Sequence, residues 1–142
     1  MSDEANMAIV RRFVDEVQSK HNLDLIDQLF TDDYVNHYAG SVQPGPEGAK
    51  QFFAMVFKAF PDLHGTIHAQ TAEGDKVWTR KSFRGTHLGP FMGVPATGKP
   101  IAFDVIDVFR IKGGRIAEHW GVSDMLRLMQ QIGPSPVTAA SS

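Results

Sequence analysis

The spacing of apolar residues changes at Pro61 from a helical period to a strand period. Upstream, apolar side chains recur every three or four residues in residues 6–20, in a short run ending at Leu29-Phe30, and after Pro44, so three helices are predicted. Pro61 ends the third helix, because proline lacks the backbone N–H that a helix interior needs. An extended segment, 34–38, is expected between the second and third helices.

Downstream, apolar and polar residues alternate, which is typical of strands with one buried face. The predicted strands are 63–71, 76–86, 100–111 and 114–122, followed by a short closing helix at 125–132. Helices followed by a run of antiparallel strands predict an α+β fold in which the helices cover one face of a curved sheet. Such a sheet encloses a cone, and apolar side chains can line a pocket inside it.

Composition bounds the possible partners and cofactors. The 142 residues suffice for one domain, expected over 1–133 with a flexible tail at 134–142. A net charge of −2 without long blocks of like charge disfavours nucleic-acid and membrane partners. There is no cysteine, no metal-ligand spacing among the histidines and no glycine-rich phosphate loop, so neither a metal nor a cofactor is expected. The polar first residues lack the apolar core of a signal peptide, which predicts a cytoplasmic protein.

The predicted hairpin 101–120 carries the clearest candidate chemistry. Asp107 shares one strand face with Phe103, Val105 and Phe109, and we expect that face to point into the cone. A carboxyl group among apolar neighbours loses the hydration of its charged form. Its pKa is therefore expected to rise, so that the group donates a hydrogen bond near neutral pH.

The turn of this hairpin decides which residue faces Asp107. A three-residue turn at 112–114 places His119 opposite Asp107, whereas a two-residue Gly113-Gly114 turn places Trp120 there. An aspartate facing a histidine could share a proton with it, and the carboxylate would raise the basicity of the imidazole.

Three segments carry a family resemblance: Phe83-Arg-Gly-Thr-His-Leu-Gly-Pro-Phe-Met-Gly-Val-Pro-Ala-Thr-Gly98, Asp107-Val-Phe-Arg-Ile-Lys-Gly-Gly-Arg-Ile-Ala-Glu-His-Trp120 and Gln130-Gln-Ile-Gly133. Together they resemble the SnoaL-like polyketide (ester) cyclases of the NTF2-like superfamily. The resemblance implies an NTF2-like cone-shaped barrel, in which a curved antiparallel sheet wraps around N-terminal helices and encloses an internal apolar pocket. It also favours the register with His119 opposite Asp107, and it implies a homodimer or larger homo-oligomer formed through the apolar outer sheet face.

The superfamily also includes bacterial ketosteroid isomerases, and the resemblance extends to them position by position. Asp107 falls on their protonated oxyanion-hole aspartate, His37 on their general-base aspartate and Phe13 on their oxyanion-hole tyrosine. In the cyclases an acid/base aspartate follows the tryptophan of the Glu-His-Trp motif, and Gly121 occupies that position here. Glycine cannot transfer a proton, so acid/base work is expected at other residues.

We therefore expect an enzyme that removes a proton beside a carbonyl of a small apolar substrate and stabilises the enolate. The outcome would be aldol-type cyclisation, isomerisation or retro-aldol cleavage, with Asp107, His119 and His37 as the catalytic residues. The predicted substrate contacts are Phe13, Phe53, Phe83, Phe91, Phe103, Phe109 and Trp120. Two alternatives stay open: a hydrolase or hydratase that activates water with Asp107 and His119, and a non-catalytic module that binds an apolar ligand.

Overall fold

A computed structural model describes residues 2–38 and 44–133, and the predicted tail 134–142 lies outside these ranges. Its helices are α1 (Asp3–Arg12), continued by a π-helical segment (Phe13–Ser19), a 3₁₀ turn (Leu23–Leu25) that leads into α2 (Ile26–Leu29), α3 (Gly45–Ala59) and α4 (Met125–Ile132). Its strands are β1 (Phe30–Asn36), β2 (His64–Glu73), β3 (Lys76–Thr86), β4 (Pro100–Lys112) and β5 (Arg115–Ser123).

Local sequence signals account for the helix ends. The Ser2 hydroxyl accepts a hydrogen bond from the Ala5 N–H at the start of α1, and the Asp124 carboxylate accepts one from the Arg127 N–H at the start of α4. The second helix is shorter than predicted, because Phe30 has an extended backbone and begins β1. Within the ranges described, no helix is both long and apolar enough to cross a bilayer.

The five strands form one curved, unclosed sheet in the order β1-β5-β4-β3-β2. Neighbouring strands are antiparallel except for β1 and β5, which run parallel. The helices with this sheet confirm the predicted α+β cone fold. Apolar side chains fill it in two clusters, one centred on α1 and Phe109, the other on Phe60 and Val105. Val105 and Phe109 lie on the same face of β4, two residues on either side of Asp107.

Both predicted registers of the β4–β5 hairpin are wrong. Gly113 and Gly114 form a two-residue turn with φ values of 58° and 79°, which glycine adopts without strain. One extra residue then enters β5, because Ile111 pairs with Ile116 whereas Arg110 pairs with Glu118. The bulge shifts the rest of the strand by one position. Asp107 therefore faces Gly121, and His119 faces Phe109.

Candidate active site

An ion pair lies on the concave face of the sheet. The ammonium group of Lys81, on β3, is 2.7 Å from Asp107 Oδ2, on β4, and each side chain is only 1% exposed. Lys81 also donates a hydrogen bond of 3.0 Å to Gln18 Oε1 in the π-helical segment. The aromatic rings of Phe13, Phe83 and Phe109 surround the ammonium group, with centroids 5.4 to 6.0 Å from Nζ. The interior that the sequence analysis described as an apolar pocket containing Asp107 therefore also contains a buried cation.

Lys81 is a candidate site residue that the sequence analysis missed. The signal was present in the alternation of β3, where Val77, Thr79, Lys81 and Phe83 share the buried face. Lysine is rarely buried without a partner. Its position in the same alternation as Phe83 therefore indicated that a carboxylate had to lie close by.

The ion pair overturns the predicted protonation state of Asp107. Burial raises the pKa of the Asp107 carboxyl, but the Lys81 ammonium beside it opposes this effect, and the net pKa lies below its usual value. Asp107 is a carboxylate at neutral pH and accepts hydrogen bonds. It is not the hydrogen-bond donor that the resemblance to the isomerases implied.

The tautomer of His119 follows from its neighbours. The backbone N–H of Tyr38 donates to Asn36 Oδ1 (2.9 Å), which fixes the orientation of the Asn36 amide. His119 Nδ1 lies 3.0 Å from the same oxygen, so Nδ1 carries the proton and donates it. In the neutral imidazole Nε2 is therefore unprotonated, and it lies 3.5 Å from Asp107 Oδ2.

Burial also decides the charge of His119. Its side chain is 15% exposed. Desolvation lowers the pKa of the imidazole and Lys81 adds to that effect, whereas the Asp107 carboxylate opposes it, and the net pKa lies below the ordinary value for histidine. The imidazole is thus neutral at neutral pH. A neutral imidazole with a free Nε2 can accept a proton.

Gly121 provides the space in which Nε2 lies. A Cβ atom at this position would be 2.9 Å from His119 Nε2, 3.1 Å from its Cε1 and 3.3 Å from Asp107 Cβ. A residue with a side chain would therefore displace either the imidazole or Asp107. The absence of a side chain at position 121 allows His119 to reach the carboxylate.

Six aromatic side chains form a closed circuit of contacts beside this polar group, with neighbouring ring centroids 4.6 to 6.2 Å apart. In order, this aromatic circuit consists of His119, Phe109, Phe13, Phe53, Phe52 and Tyr38. Phe13 and Phe109 are buried, whereas Tyr38, Phe52 and Phe53 are half-buried. Tyr38, Phe52 and Phe53 are therefore the partly exposed members of the aromatic circuit.

Comparison with known proteins shows which family the fold belongs to. The family model for SnoaL-like polyketide cyclases matches residues 8–132. The chain belongs to this family. Two curated members, the aklanonic acid methyl ester cyclases DauD of Streptomyces sp. (strain C5) and DnrD of Streptomyces peucetius, are 27% and 28% identical to it over 135 residues. Each alignment covers 90% of this chain, with 83% of DauD and 92% of DnrD.

A solved structure supports the same assignment. TsrD from Streptomyces laurentii superposes with a TM-score of 0.86 and is 27% identical, and the match covers 94% of this chain and 98% of TsrD. In this SnoaL-like chain, strands β3, β4 and β5 bring Lys81, Asp107 and His119 together.

The structure places the predicted aromatic contacts of this family member in different surroundings. Phe83 lies beside Lys81 and packs against the half-buried Phe103, with ring centroids 5.5 Å apart. Phe91 packs against Phe60 in the second apolar cluster. Trp120 faces away from Asp107, because it pairs across the sheet with Val108 and alternates with His119. Phe13, Phe53 and Phe109 belong to the aromatic circuit.

His37 lies on the outer side of the sheet. Its Nε2 is 2.8 Å from Glu118 Oε2, its ring stacks on Trp120 with centroids 4.9 Å apart, and Arg110 binds the other oxygen of Glu118. The hydrogen bond from His37, followed by that from Arg110, lowers the pKa of Glu118. Only the backbone N–H of His37 contacts the site, through a 2.8 Å hydrogen bond to the His119 carbonyl. The structure therefore does not bring the His37 side chain to Asp107.

Two surface clefts lie elsewhere in the fold. One, of about 260 Å³, is lined by Asn6 and the two hairpin turns near Gly74 and Gly113. The other, of about 510 Å³, lies near Asp62, Arg84 and Gln131. No residue of the aromatic circuit lines either cleft. In the part of the chain that the structure describes, no three histidine or acidic side chains are grouped to hold a metal ion.

Proposed function

We propose that the chain is a cofactor-independent acid/base enzyme that catalyses an aldol-type cyclisation of a flat apolar carbonyl compound, with His119 as the base. The observation that carries this proposal is that Nε2 of His119 has no hydrogen-bond partner, while Nδ1 contacts Asn36 and Asp107 lies 3.5 Å away. Family membership supports cyclase activity in general terms. The apolar walls suit a polycyclic substrate.

In the proposed reaction, Nε2 of His119 removes a proton from the carbon next to a substrate carbonyl. The C–H bond breaks, an N–H bond forms and the substrate becomes an enolate. The enolate carbon then bonds to a second carbonyl carbon of the same molecule, and the resulting alkoxide takes the proton back from the imidazolium. No atom is gained or lost, so no external reactant is consumed.

Asp107 and Lys81 act at different moments of this cycle. When His119 is protonated, Nε2–H can donate to Asp107 Oδ2, now 3.5 Å away, and the carboxylate stabilises the imidazolium. Lys81 keeps Asp107 ionised so that this stabilisation is available. Because Gly121 has no side chain, His119 can approach Asp107. The proposed acid/base group of this chain is therefore at position 119, whereas the cyclases that it resembles carry theirs at the position of Gly121.

Deuterium exchange tests the proton abstraction directly. The probes are aklanonic acid methyl ester, the compound in the names of DauD and DnrD, and a set of aromatic β-keto esters. The purified protein in D2O should introduce deuterium at the carbon between the carbonyls, as measured by mass spectrometry. The His119→Gln variant should be slower by about 10²–10⁴-fold, the usual contribution of a general base.

The His37→Gln variant is the matched control. It removes the other histidine that the sequence analysis nominated as a base, on the outer side of the sheet. Its exchange rate should equal that of the wild-type protein. A wild-type exchange rate in His119→Gln, or loss of exchange in His37→Gln, contradicts the proposal, as does the absence of enzyme-catalysed exchange with every β-keto ester tested.

The same unpartnered atoms support one competing function. Asp107 Oδ1 and His119 Nε2 are both buried without hydrogen-bond partners, and together they could orient a water molecule for attack. A hydrolase of this kind would release the ester alcohol of a β-keto ester, and the released acid would carry ¹⁸O from labelled water. A cyclised product that retains the ester and contains no ¹⁸O excludes this alternative.

We also propose a homodimer that forms through the outer sheet face. On β3, β4 and β5, three large apolar residues are exposed there: Trp78 (47%), Ile106 (56%) and Val122 (75%). Arg80 pairs with Ile106 across the strands, and Asp104 is the next outward residue of β4. Packing of this face on a second copy could bring Arg80 of one protomer to Asp104 of the other, which would complete the apolar contact with two ion pairs. The cytoplasmic location that the sequence analysis predicted is a separate proposal.

A further inference from the structure

Unpartnered polar atoms are concentrated at the Lys81–Asp107 pair. Three buried side-chain atoms near it have no hydrogen-bond partner: Thr79 Oγ1, Asp107 Oδ1 and His119 Nε2. Thr79 lies directly opposite Asp107 in the pairing of β3 with β4. Buried polar atoms are nearly always partnered, because an unpaired buried donor or acceptor loses its hydrogen bonds to water without replacement. Their clustering on neighbouring strands indicates a place where a ligand brings polar atoms of its own.

Lys81 has one hydrogen-bond donor left. Its ammonium group carries three N–H bonds, and in the described residues two oxygens accept from them, Asp107 Oδ2 at 2.7 Å and Gln18 Oε1 at 3.0 Å. Aromatic rings form the remaining surroundings. The third N–H therefore has no oxygen acceptor among the described residues and faces the aromatic rings.

When His119 is protonated, one anion can balance the net charge of the Lys81, Asp107 and His119 side chains. Lys81 from β3 is positive, Asp107 from β4 is negative, and the imidazole of His119 from β5 is neutral at rest. Tyr34 from β1 remains neutral, because burial and then the charge of Asp107 raise the pKa of its hydroxyl. A proton on His119 gives the group a surplus of one positive charge, which an oxyanion on the ligand would balance.

We propose that Lys81 is the oxyanion-binding residue of this site, and that the site consequently binds flat phenols as phenolates. This inference rests on the proposed function and deepens it, because the same N–H would hold the enolate oxygen of the substrate. On binding, the phenol O–H bond breaks, its proton forms an N–H bond with Nε2 of His119, and the phenolate oxygen accepts a hydrogen bond from Lys81. The rings of the aromatic circuit contact the aromatic part of the ligand.

Binding of substituted phenols tests this assignment. The probes are 4-nitrophenol, 4-chlorophenol and phenol, at a pH below the pKa of free 4-nitrophenol. The wild-type protein should bind 4-nitrophenol with the visible absorption of its phenolate, and affinity should decrease through the series as the phenols become less acidic. Binding of 4-nitrophenol as the neutral phenol, an affinity that does not follow acidity, or no binding overturns the assignment.

Variants identify the residue responsible. Lys81→Met should weaken 4-nitrophenol binding by about 10–100-fold and abolish the phenolate absorption, as expected for loss of a hydrogen bond to a charged group. Lys76→Met, on the same strand but exposed, should bind like the wild-type protein. The double variant Lys81→Met/Asp107→Leu leaves no unpaired charge in the core and should show the same loss, so poor folding of the single variant does not decide the result. A double variant that still binds the phenolate contradicts the proposal.

The two proposals fail in distinguishable ways. If deuterium exchange depends on His119 but phenolate binding does not depend on Lys81, then the proposed function stands and the oxyanion assignment is rejected. If phenolate binding depends on Lys81 but exchange does not depend on His119, the oxyanion site stands and the assignment of the base is rejected.

Discussion

The imidazole of His119 lies directly against Gly121: a Cβ atom on residue 121 would be 2.9 Å from Nε2 of His119. The imidazole fills the room that a side chain at 121 would otherwise take, and it reaches within 3.5 Å of Asp107 Oδ2 as a result. The glycine at the position of the cyclases' acid/base aspartate therefore makes room for His119, the base that we propose.

The Gly121→Ala variant tests this relationship. The added methyl group must displace the imidazole, and a shift of about 1 Å in a reacting group typically costs about 10²-fold in rate. We expect a decrease of that size in the turnover number, with melting temperature and circular dichroism close to those of the wild-type protein. Val122→Ala, on the same strand but facing outward, is the control and should retain full activity. Full activity in Gly121→Ala would show that His119 is not the base.

The pH dependence of kcat/KM should reflect the lowered pKa of His119. The neutral imidazole is the active form, so activity is lost only as the pH falls through that pKa, which lies below the ordinary value of about 6.5. The acidic limb of the profile should therefore lie below pH 6.5. A limb at or above that value contradicts the burial argument.

Asn36→Asp should move that limb in a known direction. The new carboxylate keeps both hydrogen bonds, from Tyr38 N–H and from His119 Nδ1, but its negative charge favours the imidazolium. The pKa of His119 rises, and the acidic limb should move to higher pH by about one unit. Asn22→Asp, an exposed change of the same chemistry, controls for the added charge and should leave the profile unchanged. If the acidic limb of Asn36→Asp does not move, Asn36 does not influence the pKa of His119.

The ion pair predicts how stability depends on pH. Because the pKa of Asp107 is lowered in the folded protein, its contribution is present above its unfolded value of about 3.9 and is lost as the pH falls through the folded pKa. Lys81→Met leaves a buried unpaired carboxylate, so at neutral pH the free energy of unfolding should decrease by about 3–5 kcal/mol. The decrease should be smaller near pH 4, where protonation removes that charge. Urea denaturation at both pH values, with Lys76→Met as the control, measures the difference, and an equal loss at both contradicts the pairing.

The dimer proposal has a separate test. Ile106→Glu places a charge at the centre of the exposed apolar face without touching the concave side of the sheet. The variant should run as a monomer in light scattering coupled to size-exclusion chromatography, whereas the wild-type protein should run as a dimer. Leu126→Glu, equally exposed but on α4, should remain a dimer. A monomeric wild-type protein rejects this interface.

Most of the fold could be predicted from the sequence because the apolar periods are strong. Pro61 separates the helical part from the strands, and every predicted strand lies within two residues of its position in the structure. The alternation around Asp107 likewise predicted its inward orientation. The start of β1 at Phe30 could not be predicted, because a single apolar residue at the end of a short helix carries no period of its own.

The site was less predictable, because it depends on the extra residue in β5 and on the positive charge of Lys81. The bulge at Ala117 shifts the pairing of β5, and nothing in the alternation of that strand indicates an unpaired residue. The shift makes Gly121 the partner of Asp107. Lys81 then keeps Asp107 ionised. The sequence analysis had predicted a neutral carboxyl group from the apolar neighbours of Asp107 on its own strand. Side chains that meet across three strands determine the chemistry here.

The protonation of the two ring nitrogens of His119 at neutral pH is the most direct test of the central claim. Long-range ¹H–¹⁵N spectra of histidine-labelled protein report it, and the His119→Gln variant assigns the resonances. We predict a proton on Nδ1, donated to Asn36, and none on Nε2. A proton on Nε2 at neutral pH, whether on the other neutral tautomer or on an imidazolium, would contradict the assignment of His119 as the base.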